Sequence, residues 1–131
     1  MQDDLAKLIL RLLVGVLLLF HGAHKVMTGI QPIMDMVTAH GLPGFLAYGV
    51  YIGEVVAPIL VILGLFARVG GALIVINMIV AVLLAGMGRL LVIDQMGGYA
   101  LEIEAFYLFG GLVIALQGAG AYGLGLGGRW N

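Results

Sequence analysis

Residues 45–66 read FLAYGVYIGEVVAPILVILGLF, an apolar stretch long enough to cross a bilayer, with one carboxyl group, Glu54, near its middle. An ionisable group at that depth costs several kcal/mol unless it faces a partner or a water-filled cavity, so it indicates a functional site. Pro58 lacks the amide that would bond the Glu54 carbonyl, which leaves a second polar group in the same place. We therefore expect a polar site inside a membrane-spanning helix.

The composition of the whole chain indicates that it contains further membrane-spanning segments. Hydrophobic residues make up 63% and charged residues 10%, and the mean hydropathy is +1.17, values typical of an integral membrane protein. Three further apolar stretches accompany the one above. The sequence therefore predicts an all-α, four-helix antiparallel transmembrane bundle that forms a single domain over residues 1–131. The predicted spans are about 5–25, 45–66, 69–85 and 99–116, with a short interfacial helix near Ile33 to Thr38.

Several classes of function are disfavoured by charge and by cysteine content. The net charge is -1 and no basic cluster is present, so nucleic acid is not an expected partner. With no cysteine, the chain can form neither a disulfide nor an iron–sulfur cluster, so a redox role needs a bound cofactor or a partner. His21 and His24 match no recognised metal motif, and we expect no metal and no covalent cofactor.

Lysine and arginine residues in the short flanks of the spans predict the orientation. Four lie on one predicted side of the membrane and two on the other, which favours both termini in the cytoplasm and a location in a bacterial-type inner membrane. The first group is Lys7, Arg11, Arg68 and Arg129, and the second is Lys25 and Arg89. The first span starts like a signal peptide, but no small-residue cleavage site follows it, so we expect a retained helix.

Most of the ionisable groups inside the spans fall in one half of the membrane. We predict that they form a polar pocket in the outer half of the bundle, with Glu54 and His21 as the catalytic pair. The predicted ligand-binding residues are His21, His24, Lys25, Glu54, Asn77 and Glu104.

Simpler roles remain open for each of these residues. Lys25 and His24 would then mark the membrane interface. Glu54 would be a neutral carboxyl that joins two helices through Asn77. Glu104 would be a solvated carboxylate at the membrane boundary.

The order of several short motifs resembles the DoxX family of small four-helix membrane proteins. The motifs are Gly15, Phe20-His21-Gly22, Lys25, Gly41-Leu42-Pro43-Gly44, Glu54, Pro58, Leu63-Gly64-Leu65-Phe66-Ala67-Arg68 and Gly118-Ala119-Gly120-Ala121-Tyr122. The resemblance implies kinship with the small membrane subunit of a thiosulfate:quinone oxidoreductase and with members that have redox partners in oxidative-stress defence. The family pattern usually continues with a Ser-Ile/Leu-Asp segment, which residues 123–127 lack.

Together these observations predict a quinone-linked membrane subunit of an oxidoreductase complex. In this hypothesis His21 and Lys25 hydrogen-bond the quinone carbonyls, Glu54 exchanges protons, and a redox partner subunit supplies the electrons. One alternative is a small proton-coupled transporter. Another is a membrane anchor or assembly subunit without chemistry, in which small residues such as Gly49, Gly53 and Ala57 pack against a partner helix or a second copy.

Overall fold

The structure, a computed structural model, describes residues 1–131 and contains helices and no strands. Three helices are long: α1, Gln2–Thr28; α3, Gly44–Leu63; and α4, Ala67–Arg89. The two shorter helices are α2, Gln31–Ala39, and α5, Glu102–Gln117. The predicted all-α class is thus correct, and the short helix predicted near Ile33 to Thr38 is present as α2, whereas its interfacial position stays a prediction.

Helices α1, α3 and α4 are long and apolar enough to cross a membrane, with 27, 20 and 23 residues. Helix α5 has 16 residues, fewer than the roughly 20 of a typical transmembrane helix. The fourth span of the predicted bundle therefore stays a prediction. Helix α5 nevertheless packs along α4 and α1, and α3 packs between α1 and α4.

The core lies where these four helices meet. Leu18, Val61, Ile74 and Ile114 come from different helices and are each at most 1% exposed. The turn between α3 and α4 is tight because Gly64, with φ +67°, ends α3 in the left-handed conformation that glycine adopts at little cost. This turn makes α3 and α4 antiparallel neighbours.

Helix α3 is not a regular α-helix along its length. Residues Ile52–Val56 form a π-helical turn around Glu54, and the amide of Ala57 donates to the carbonyl of Ile52. Pro58 follows directly and has no amide hydrogen to give to the Glu54 carbonyl, which accounts for the irregularity at this place. Such turns often lie at functional sites.

Arg11, counted from the sequence only as a charge that sets the orientation in the membrane, is also a buried structural residue. Its side chain is 1% exposed. The guanidinium donates to the carbonyls of Val61 at 2.9 Å, Ala119 at 2.7 Å, Tyr122 at 2.8 Å and Ile62 at 3.2 Å. Arg11 thus joins the end of α3 to the segment that follows α5, and satisfies carbonyls that helix ends leave free.

Candidate functional site

Glu54 is buried, with 5% of the residue exposed, and both of its carboxylate oxygens have partners. Lys25 Nζ from α1 forms an ion pair with Oε1. Asn77 Nδ2 from α4 donates to Oε2 at 2.9 Å. Three long helices therefore meet at one carboxyl group, and a charge that would be costly inside a membrane is neutralised there.

Two glycines allow the helices to come this close. A Cβ atom at position 22 of α1 would overlap the carbonyl oxygen of Glu54, and one at position 53 would lie 2.5 Å from Asn77 Oδ1. Side chains at these positions would push α1 and α4 away from α3. Gly22 and Gly53 therefore determine the geometry of the polar cluster.

A pocket of about 610 Å³ opens beside Glu54. Lys25, Glu54 and Asn77 are its only polar side chains, and 14 of its 19 lining residues are hydrophobic. This size and this balance of apolar wall and few polar groups are typical of small-molecule sites.

The short helix α2 forms one wall of the pocket. Its residues Ile33, Met36 and Val37 line the cavity, and Val37 is 3% exposed. His40, at the end of α2, does not line the pocket, and its ring Nδ1 is 2.8 Å from the Met36 carbonyl. Helix α2 thus folds back over the ends of α3 and α4.

Other wall residues reach the outer surface of the bundle. Leu46, Ile52, Ile76 and Val80 line the pocket and are also among the exposed large hydrophobic residues. An exposed apolar surface of this kind on a membrane-spanning helix faces acyl chains. The pocket therefore has an apolar opening between α3 and α4.

The structure brings together three of the predicted ligand-binding residues and places the other three elsewhere. His21 is exposed and its ring meets the ring of Tyr107 edge-on, with centroids 5.8 Å apart. His24 is exposed, and Glu104 lies 3.8 Å from Arg89 in an ion pair. None of these three lines the pocket.

Tyr51 is a site residue that the sequence reasoning missed. Its hydroxyl donates to the carbonyl of Lys25 at 3.3 Å, which ties the end of α1 to α3 next to the ion pair. The available signal was its spacing, because residues three apart on a helix share a face and Tyr51 precedes Glu54 by three.

Fold and site together define a helical, multi-pass membrane protein with a charged pair beside an apolar pocket. The chain belongs to the DoxX family, whose model matches residues 6–87. That match includes Lys25, Glu54 and Asn77 and ends before α5. The chain is 30% identical over 80 residues to "Putative oxidoreductase CatD" of Bacillus subtilis (strain 168).

The alignment with CatD covers 61% of this chain and 59% of the relative. The chain thus spans about three fifths of the length of that protein. No solved structure matches the chain.

Proposed function

We propose that this protein is the quinone-binding membrane subunit of an oxidoreductase complex in a bacterial inner membrane. The observation that carries the proposal is the position of Glu54: a buried carboxyl group, held by Lys25 and Asn77, in the wall of an apolar pocket. The name of the relative CatD and membership of the DoxX family support the link to oxidoreductases.

The pocket suits a quinone in shape and polarity. A quinone head is a flat apolar ring with carbonyl acceptors on opposite edges, and the Lys25 ammonium and the Asn77 amide are donors. The apolar opening beside Ile52 and Ile76 gives an isoprenoid tail a way into the lipid. A membrane-soluble ligand with a polar head therefore fits better than a water-soluble one.

Reduction of a quinone to a quinol takes up two electrons and two protons. The electrons come from a partner subunit with a redox centre, because the chain has no cysteine for a cluster of its own. Glu54 lies where it can pass a proton to a quinone oxygen, and the Lys25 side chain, 24% exposed, connects the carboxyl to water. In this proposal Asn77 takes the hydrogen-bonding role expected of His21, and the catalytic role of His21 stays a prediction.

The ion pair also bears on the transporter alternative. A carboxyl group that carries a cation across a membrane must exchange that cation for a proton. In this structure a lysine of the same chain already occupies the carboxylate. The quinone-linked role is therefore the better supported of the two.

Binding of a short-tailed menaquinone analogue to the purified protein in detergent tests the proposal. Glu54→Gln keeps the shape of the side chain but removes its charge, and Asn77→Leu removes a donor from the same cluster. We expect each variant to weaken binding up to about tenfold, since one hydrogen bond contributes roughly 0.5–1.5 kcal/mol and about 1.4 kcal/mol is a factor of ten.

Glu102→Gln is the matched control, because Glu102 is an exposed carboxyl of α5 that does not line the pocket. It should bind the analogue as the unmodified protein does. Affinity that is equal in all four proteins would refute the assignment of the pocket and leave the anchor role. Proton flux into liposomes that depends on Glu54 would favour the transporter instead.

A further inference from the structure

A second cavity, of about 660 Å³, lies toward the Arg68 end of α4, and Leu73 contributes to the walls of both cavities. Its polar wall contains two guanidinium groups, of Arg68 and Arg129, with the indole of Trp130 beside them. The remaining wall consists of small and aliphatic residues of α4 and α5, and no carboxyl side chain lines the cavity. A site of this composition attracts an anion that also carries an apolar part.

Both arginines have N–H groups that no acceptor within the protein uses. Nη1 of Arg68 donates to the carbonyls of Ala115 at 3.1 Å and Leu116 at 2.5 Å, whereas its Nε and Nη2 have no acceptor in the protein. Arg129 lies over the Trp130 ring at 4.9 Å and takes part in no ion pair. An arginine fork is well suited to phosphate oxygens.

The segment that carries Arg129 and Trp130 is fixed to the rest of the protein. The amide of Phe66 donates to the Leu126 carbonyl at 3.1 Å, and the amide of Ala119 donates to the Asn131 carbonyl at 2.7 Å. The Asn131 side chain accepts from the amide of Ala67 at 3.3 Å. The two arginines are thereby held on one cavity before any ligand arrives, which lowers the entropic cost of binding.

The distribution of charge along the bundle also favours an anionic ligand in this cavity. Four of the six lysine and arginine residues lie at this end, with only two of the seven acidic residues, Asp3 and Asp4, which do not line the cavity. The end that holds Glu54 has the remaining five acidic residues. An anionic ligand is therefore favoured at the Arg68 end and disfavoured at the other.

We propose that this cavity binds an anionic phospholipid, with the phosphate between Arg68 and Arg129 and an acyl chain along the apolar wall. A phospholipid accounts for both halves of the cavity, because five of its seven lining residues are hydrophobic. Free phosphate would use only the arginines. Basic pockets between membrane helices bind anionic head groups in the same way.

Trp130 makes the site directly observable, because it is the only tryptophan of the chain. The protein is reconstituted in vesicles that contain phosphatidylglycerol or phosphatidylcholine with brominated acyl chains, which quench tryptophan fluorescence on contact. We expect phosphatidylglycerol to quench Trp130 with a relative binding constant about thirtyfold higher than that of phosphatidylcholine, since each of the two basic residues near the head group contributes roughly 1 kcal/mol.

Arg129→Gln should lower this ratio about fivefold, because only Arg68 then remains at the head group. The variant should leave the fold intact, because Arg129 is exposed and its side chain makes no hydrogen bond within the protein. Arg89→Gln removes the same charge at the other end and should leave the ratio unchanged. Three results would overturn the proposal: equal quenching by the two lipids, a ratio that Arg129→Gln does not lower, or an equal fall with Arg89→Gln. Relief of the quenching by millimolar inorganic phosphate would identify the ligand as a free anion instead.

Discussion

Arg11 and Glu54 are the two charged residues buried in this protein, and they are enclosed in different ways. Arg11 donates only to backbone carbonyls, in a region that helix ends and the last segment close on all sides. Glu54 is bound by two side chains, from Lys25 and Asn77, and a cavity lies beside it.

The contrast teaches how to separate structural from functional buried charge. Backbone carbonyls cannot change their protonation state or swing aside, so the environment of Arg11 is permanent. Side-chain partners can do both, and the pocket gives a ligand access to them. Burial alone therefore does not identify a site in a membrane protein. The chemical nature of the hydrogen-bond partners identifies the site. The two environments are about 21 Å apart along α1, at 1.5 Å per residue between Arg11 and Lys25.

The largest effect should follow from Arg11→Met. We expect a loss of at least about 4 kcal/mol in the free energy of unfolding, because four buried or part-buried carbonyls each lose a hydrogen bond to a charged group worth roughly 1.5–3 kcal/mol. Thermal unfolding in detergent measures the loss, together with the yield of folded protein. Arg89→Met is the control, since Arg89 is exposed and should cost little. Equal stability of the two variants would show that Arg11 does not hold α3 to the last segment.

A smaller loss should follow from Gly22→Ala. The added methyl group would overlap the Glu54 carbonyl and force α1 away from α3, with a cost of about 2 kcal/mol for overpacking. The matched control is Gly49→Ala in α3, where a Cβ atom meets nothing within 4 Å. We expect Gly49→Ala to be neutral or slightly stabilising in the same unfolding assay. If both variants unfold alike, the close approach of α1 to Glu54 is wrong.

The smallest effect should be the coupling between Lys25 and Glu54. A double-mutant cycle with Lys25→Met and Glu54→Gln should give a coupling energy of about 1 kcal/mol, since contacting charged groups that are partly buried interact by this order. The same cycle on Arg89 and Glu104, 3.8 Å apart and more exposed, should give less than about 0.5 kcal/mol. Coupling energies in the reverse order would remove the distinction between the buried pair and the surface pair.

Parts of the fold and the site were predictable because their signals are local. Apolar length predicted the long helices. Pro58 predicted an unbonded carbonyl at Glu54, which lies within the irregular turn that the structure has at residues 52–56. The spacing of small residues placed Gly53 on a packing face, where it meets Asn77.

The rest depends on contacts between distant residues. The bonds of Arg11 reach Ala119 and Tyr122, more than 100 residues along the chain, and nothing in the first helix indicates them. His21 and Lys25 are about 40° apart around α1. That angle suffices to turn one toward Tyr107 and the other toward Glu54.

The wall that α2 forms has a consequence for how occupancy of the pocket is controlled. With Met36 and Val37 on one side and an opening beside Ile76 on another, the proposed quinone would enter the pocket laterally, from the hydrocarbon of the membrane. The concentration that matters is then the mole fraction of ligand among lipids. Dilution of the sample with buffer would leave the occupancy of the pocket unchanged. Added vesicles without ligand would lower it, because they lower the mole fraction of ligand among the lipids.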